Sequence, residues 1–147
     1  MKISILGVEN MYIAFGNEIM DSEEMKEKIE KNSEFKVIKD MSKGSKREDI
    51  LAFNLSVEVN ILNEIMEDEY NLDELTEDDL FEEYLTLAEE IATDIEEHIP
   101  EEALLDIRGY KWDKSDNSIK LVMAIAHEEL GEGKLKDVMR RLITQVE

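Results

Sequence analysis

Apolar positions along this chain fall at two spacings, and each predicts a kind of element. Leu51, Phe53, Leu55, Val57, Val59 and Ile61 alternate with Ala52, Asn54, Ser56, Glu58 and Asn60, a period of two that predicts a strand. From about Asn60 the spacing turns helical through Ile61, Leu62, Ile65 and Met66, so a strand is expected over residues 51–62 but whether they are strand or helix stays open. Upstream, residues 2–8 (KISILGV) read as a first strand. Residues 11–16 (MYIAFG) follow as a second, after the turn-prone Glu9-Asn10, and residues 34–40 (EFKVIKD) as a third. Between them, Met25 and Ile29 give residues 21–32 an apolar helical edge, and Asp21 with Glu24 has the spacing of a capping box. Residues 41–49 form a basic loop around Gly44.

The longest pattern opens at Thr76, an N-cap residue with Asp79 at the third helical position. Leu80, Tyr84, Leu87 or Ala88, Ile91, Ile95 and His98 then recur at three- and four-residue spacing, and Pro100 stops the helix. Residues 103–112, the turn DKSDNS and residues 119–126 carry the best hairpin signal in the chain. A last helix over 131–147 aligns Leu135, Val138, Leu142 and Val146 on one side. These elements predict an α+β fold in a single domain, 1–147. In it, a small antiparallel sheet including a C-terminal β-hairpin packs with a long acidic helix and two shorter helices. A chain of 147 residues is long enough to bury one substantial core.

Composition narrows the class. With 42% hydrophobic and 37% charged residues, a folded soluble protein is expected. No run of eighteen apolar residues is present, so a membrane span is not expected. The N-terminal stretch does not read as a secretory signal, and a cytoplasmic location is expected. The absence of cysteine excludes disulfides, thiolate catalysis and cysteine-ligated zinc.

Charge changes the picture most. The net charge is −21, from 38 acidic and 17 basic residues. From Glu48 to Asp106 there are 22 acids and no lysine or arginine, which leaves 38 − 22 = 16 acids against all 17 bases in the flanks. The middle of the chain therefore carries the whole imbalance, and segregation of this kind points to a partner of opposite sign. Residues 76–99 alone hold ten acids. That is one negative charge per roughly 3.5 Å of helix axis, near the roughly 3.4 Å per phosphate on one DNA strand. Asp78 with Glu82, Asp79 with Glu83 and Glu90 with Asp94 are like-charge pairs four apart, each costing about 0.2–0.5 kcal/mol. Lysine, used elsewhere in the chain, relieves none of this.

The expected function is that of a non-enzymatic inhibitor. Its acidic segment would occupy the cationic site of a basic nucleic-acid-binding protein, a nuclease or effector, without itself contacting nucleic acid or a membrane. Glu82, Glu83, Glu89, Glu90, Glu96 and Glu97 are the expected contacts, with Asp68, Glu69, Asp78 and Asp79 behind them. In charge and size the chain resembles nucleic-acid-mimic inhibitors that phages and mobile elements direct against restriction or CRISPR nucleases, and acidic immunity proteins that block nuclease toxins. The resemblance matches no motif and carries over no functional residue. Two readings compete with it: a small ligand-binding or catalytic domain using the hairpin side, and an assembly protein whose acidic face only keeps it dissolved. A homodimer docking basic hairpin against acidic helix belongs to the last class.

Other chemistry is thin. Asp94 and His98 could ligate a metal with Glu90 or Glu97, although a histidine beside Pro100 more often caps carbonyls, so no metal site is assigned. His127-Glu128-Glu129 lacks a second histidine, and residues 68–79 lack the central glycine of a calcium loop. Glu132 between Gly131 and Gly133 would repel a phosphate, so no nucleotide site and no cofactor are expected. Arg108, Tyr110, Lys111, Trp112, Lys114 and Lys120 interleave bases with aromatics in the hairpin. They either bind single strands or, as expected here, pack on the core and offset the acidic helix.

Overall fold

The alternating stretch becomes the centre of a sheet. In the computed structural model, which describes residues 12–15, 18–68 and 71–146, strand β4 (Ile50–Glu58) lies between β3 (Lys36–Asp40) and β6 (Ser118–His127). β5 (Ala103–Asp113) closes the other edge, giving an antiparallel order β3-β4-β6-β5. The expected hairpin is the β5–β6 pair. One face of the two central strands is apolar throughout and covered, and the other is apolar only toward one end, giving way to Asn54, Ser56, Ser118 and Lys120. Leu51, Phe53, Leu55 and Val57 with Ile119, Leu121, Met123 and Ile125 fill one core. Ile50, Ala52, Val122, Ala124 and Ala126 fill the other.

Three helices cover the first face. Helix α1 (Ser22–Asn32) begins where Asp21 accepts the Glu24 N–H at 2.7 Å, and it buries Met25 and Ile29. Helix α2 (Val59–Met66) buries Val59, Leu62 and Met66, and α3 (Glu77–Thr93) buries Tyr84, Ala88 and Ala92. A short pair, β1 (Tyr12–Phe15) with β2 (Glu18–Asp21), adds Ile13, Phe15 and Met20. The second face receives α4 (Glu132–Val146) through Leu135, Val138, Met139, Leu142 and Ile143. The result is a layered α+β domain: helices, sheet, helix.

Three boundaries depart from the sequence expectation. The strand over 51–62 ends at Glu58, because Glu58 pairs with Ser118, the first residue of β6, and the ladder has no further partner. Val59 instead donates its N–H to the Asn117 carbonyl, and α2 starts there, adding a fourth helix. The long acidic helix is α-helical only to Thr93, whose hydroxyl bonds back to the Glu89 carbonyl, and Asp94–His98 follows as a 3-10 turn before Pro100. The strand expected over 2–8 lies outside the described residues. Among the described residues, no helix is long and apolar enough to cross a membrane.

Candidate functional site

Helix α3 is set by its cap and its stripe. The Thr76 hydroxyl accepts the Asp79 N–H at 3.1 Å and the Asp79 carboxylate accepts the Thr76 N–H at 3.3 Å, a reciprocal box that fixes the first turn. Leu80 and Phe81 join the buried Tyr84, Ala88 and Ala92 on the sheet-facing side. At about 100° per residue, Asp79, Glu82, Glu83 and Glu90 then fall on the opposite, outward arc, with Asp78 and Glu89 on its flank. Asp78, Asp79, Glu82 and Glu90 are exposed and Glu83 half-buried. Glu96 and Glu97 are exposed on the 3-10 turn that continues the helix, and Asp68 is exposed just after α2. Glu69 lies outside the described residues.

Glu89 stands apart. Half-buried, it turns its Oε2 toward the sheet and accepts the Gly109 N–H at 2.8 Å. Gly109 sits where the β5–β6 register shifts, so Tyr110 is the extra residue of a bulge, and the N–H left without a ladder partner is taken by this carboxylate. A Cβ on Gly109 would lie 2.6 Å from Leu85 Cδ2, so glycine there lets α3 approach β5 closely. The sequence signal for this contact is a glycine in the interior of the first hairpin strand.

The hairpin tip holds the start of α3. Trp112 packs edge-on against Tyr84, with ring centroids 5.1 Å apart, and tilted on Phe81 at 6.5 Å. Its indole N–H donates to Asn117 Oδ1 at 3.0 Å. Lys114 lies 3.5 Å over the Trp112 ring and pairs with Glu77 at 2.9 Å. Trp112 thus packs on the core, as expected, and one base does offset the acidic helix. The offset stops there: among the described residues, Asp78, Asp79, Glu82, Glu83, Glu90, Glu96 and Glu97 have no lysine or arginine within ion-pair distance.

Lys26, Lys28 and Lys31 lie on α1, on the same side of the sheet as α3, and a second group of bases lies behind the sheet. Helix α4 carries Lys134, Lys136, Arg140 and Arg141 against Glu132 and Asp137, and it covers only the end of its face that bears the alanines. On the rest of that face, directly opposed residues form two cross-strand rows. Lys36, Ser56, Lys120 and Lys111 make one; Lys39, Asn54, Val122 and Arg108 make the next. Tyr110 lies between them with its hydroxyl donating to Asn54 Oδ1 at 2.9 Å, and burial pushes that hydroxyl's pKa up, so it stays a donor. Lys120 is nearly buried and bonds Asp116 at 2.7 Å. No known family model matches the chain, and no curated protein or solved structure is detectably similar to it. Function has to be read from these surfaces themselves.

One cleft of about 450 Å³ offers mixed chemistry, with Tyr12, Glu48, Asp49, His127, Glu129 and Lys134 among its walls. His127 stacks on Phe15, centroids 5.5 Å apart, and its Nδ1 accepts the Glu129 N–H at 3.1 Å. Arg47 grips Asp49 in a bidentate pair at 2.8 and 2.9 Å, which lowers the Asp49 carboxyl below its ordinary value. His98 uses its backbone carbonyl to accept a bond from Lys28 Nζ at 3.4 Å. Among the described residues, no cluster of three histidine or carboxylate groups, the Asp94–His98 set included, is placed to hold a metal.

Proposed function

We propose that the outward arc of α3, continued by the 3-10 turn at Glu96 and Glu97, docks into the cationic nucleic-acid-binding site of another protein and blocks it. The chain would then act as a non-enzymatic inhibitor of the anti-restriction, anti-CRISPR or nuclease-immunity kind. One observation carries this reading: the carboxylates of the arc lie together on the outward side of α3, and among the described residues none of them has a lysine or arginine within ion-pair distance. This holds although α1, on the same side of the sheet, carries Lys26, Lys28 and Lys31. Carboxylates so arranged can replace phosphates in pairing with a partner's arginines and lysines. Glu82, Glu83 and Glu90 would make the central contacts, with Asp68, Glu69, Asp78, Asp79, Glu96 and Glu97 around them. Glu89 would act indirectly, by holding the helix to the sheet. Long-range attraction would speed the encounter and weaken with salt.

The test is displacement. The chain is titrated into complexes of labelled DNA with a panel of cationic nucleases and CRISPR effectors, and release is read by fluorescence anisotropy at about 20 mM and about 500 mM NaCl. The expected result is release at the lower salt that the triple reversal Glu82→Lys, Glu83→Lys, Glu90→Lys weakens at least about tenfold, equal to about 1.4 kcal/mol. Release that survives the reversal would overturn the reading. Absence of release from every member of the panel would favour a face that serves only to keep the chain dissolved.

A further inference from the structure

We infer that the basic half of the sheet face is a docking surface for helix α3 of a second copy of this chain. The outward arc of α3 and two basic rows of the sheet cannot meet within one chain, because the sheet lies between them. Lys26, Lys28 and Lys31 of α1 lie on the helix side, and Glu58, Asp113 and Asp106 flank the basic rows on the other. On the helix side, α3 has seven acids and no base between Glu77 and Thr93. On the other side, Lys36, Lys39, Arg108, Lys111 and Lys120 occupy two adjacent cross-strand rows. Lys120 is paired with Asp116, and Lys36 reaches Glu58 only at 3.9 Å between two exposed side chains. Among the described residues, Lys39, Arg108 and Lys111 make no ion pair.

Each field is unfavourable alone. Lys111 stands directly opposite Lys120, a like-charge cross-strand pair, and α3 carries its own like-charge pairs four residues apart. Bringing helix and sheet together relieves both. The dimensions agree: three strand spacings separate Lys36 from Lys111, about 14 Å, and eight helical residues separate Glu82 from Glu90, about 12 Å. A nucleic acid strand fits this face less well. Among the described residues Tyr110 is the one aromatic on it, with its hydroxyl tied to Asn54; Trp112 faces the other core; and a net charge of −21 repels a polyanion. Because donor helix and acceptor sheet lie on opposite sides of one molecule, the contact is head-to-tail and does not close into a reciprocal dimer. It also covers the surface assigned above to an external partner, so assembly and inhibition would compete, although neither inference requires the other.

Sedimentation velocity on the full chain tests it. At about 20 mM NaCl the weight-average mass should rise with concentration from 17.1 kDa past twice that value, and it should return to 17.1 kDa at about 500 mM. Two variants should each remain monomeric at low salt: Lys36→Glu, Lys39→Glu, Lys111→Glu, and Glu82→Lys, Glu83→Lys, Glu90→Lys. Mixed in equal amounts, they should associate again, since each then offers the charge the other lacks. A wild type that stays at 17.1 kDa under all conditions would overturn the inference, as would a mass that stops at a discrete dimer or a mixture that stays monomeric. Retention of a labelled oligothymidylate by a monomeric wild type, lost in the lysine variant, would overturn it in favour of a nucleic acid site. The lysine variant should keep full activity in the displacement assay, which separates failure of this contact from failure of the proposed function.

Discussion

Lys120 shows what a single charge needs when it is drawn into a sheet. Its side chain is 11% exposed, and Asp116, 53% exposed, supplies both counter-ion and hydrogen-bond acceptor. Lys120 first, and then the Ser118 hydroxyl, hold the Asp116 carboxyl below its ordinary value. A depressed carboxyl adds stability that is fully present above the unfolded value, about pH 4 for aspartate, and that is lost as pH falls through the lower folded value. Asp116→Asn should therefore lower the urea midpoint at about pH 6, and the gap to wild type should narrow toward about pH 2.5. A gap that stays constant across that window would show that the pair carries no proton linkage. At this scale the sequence was a partial guide. The i, i+4 spacing of Asp116 and Lys120 was visible, but it suggests a helix pair, and here it spans a hairpin turn that Asn117 closes in the left-handed region at φ 50°.

At the scale of one element, α3 contains carboxylates of two kinds. Glu89 accepts the Gly109 N–H; replacing it by alanine leaves a half-buried donor without its charged acceptor and should cost about 1–3 kcal/mol. Glu82→Gln and Glu90→Gln remove members of like-charge arrangements on the exposed arc and should leave stability unchanged or raise it by a few tenths, about 0.2–0.5 kcal/mol. Thermal melts of the three variants check this directly, and equal destabilisation by all three would remove the distinction. The cap at Thr76, the apolar stripe and the density of acids were all legible, because they follow from spacing within one helix. The role of Glu89 was not, since it depends on a bulge in a strand twenty residues away. The split at Glu58 was equally hidden: where β4 ends is decided by where β6 begins.

For the whole molecule, the legible quantity was the imbalance of charge along the chain, and the illegible one was its arrangement in space. Lys36, Lys39, Arg108, Lys111 and Lys120 come from three strands, and only the register brings them onto one face. Nothing in the spacing of the lysines announces that. Unrelieved repulsion should also appear in bulk stability. Raising NaCl from about 20 to about 500 mM should raise Tm by roughly 2–4 °C if screening recovers only the roughly 1 kcal/mol of repulsion within α3. A Tm that falls with salt would mean that attractive pairs dominate the balance.

The placement of the α3 arc and the basic rows on opposite sides of the sheet also has a consequence for motion in solution. The outward arc of α3 on one side and the cationic rows on the other contribute a dipole across the layers. A cationic surface several Debye lengths closer to one flank than the other exerts a torque on it as well as a pull. The chain should therefore rotate during its approach and arrive helix first, with the search over orientations largely finished before contact.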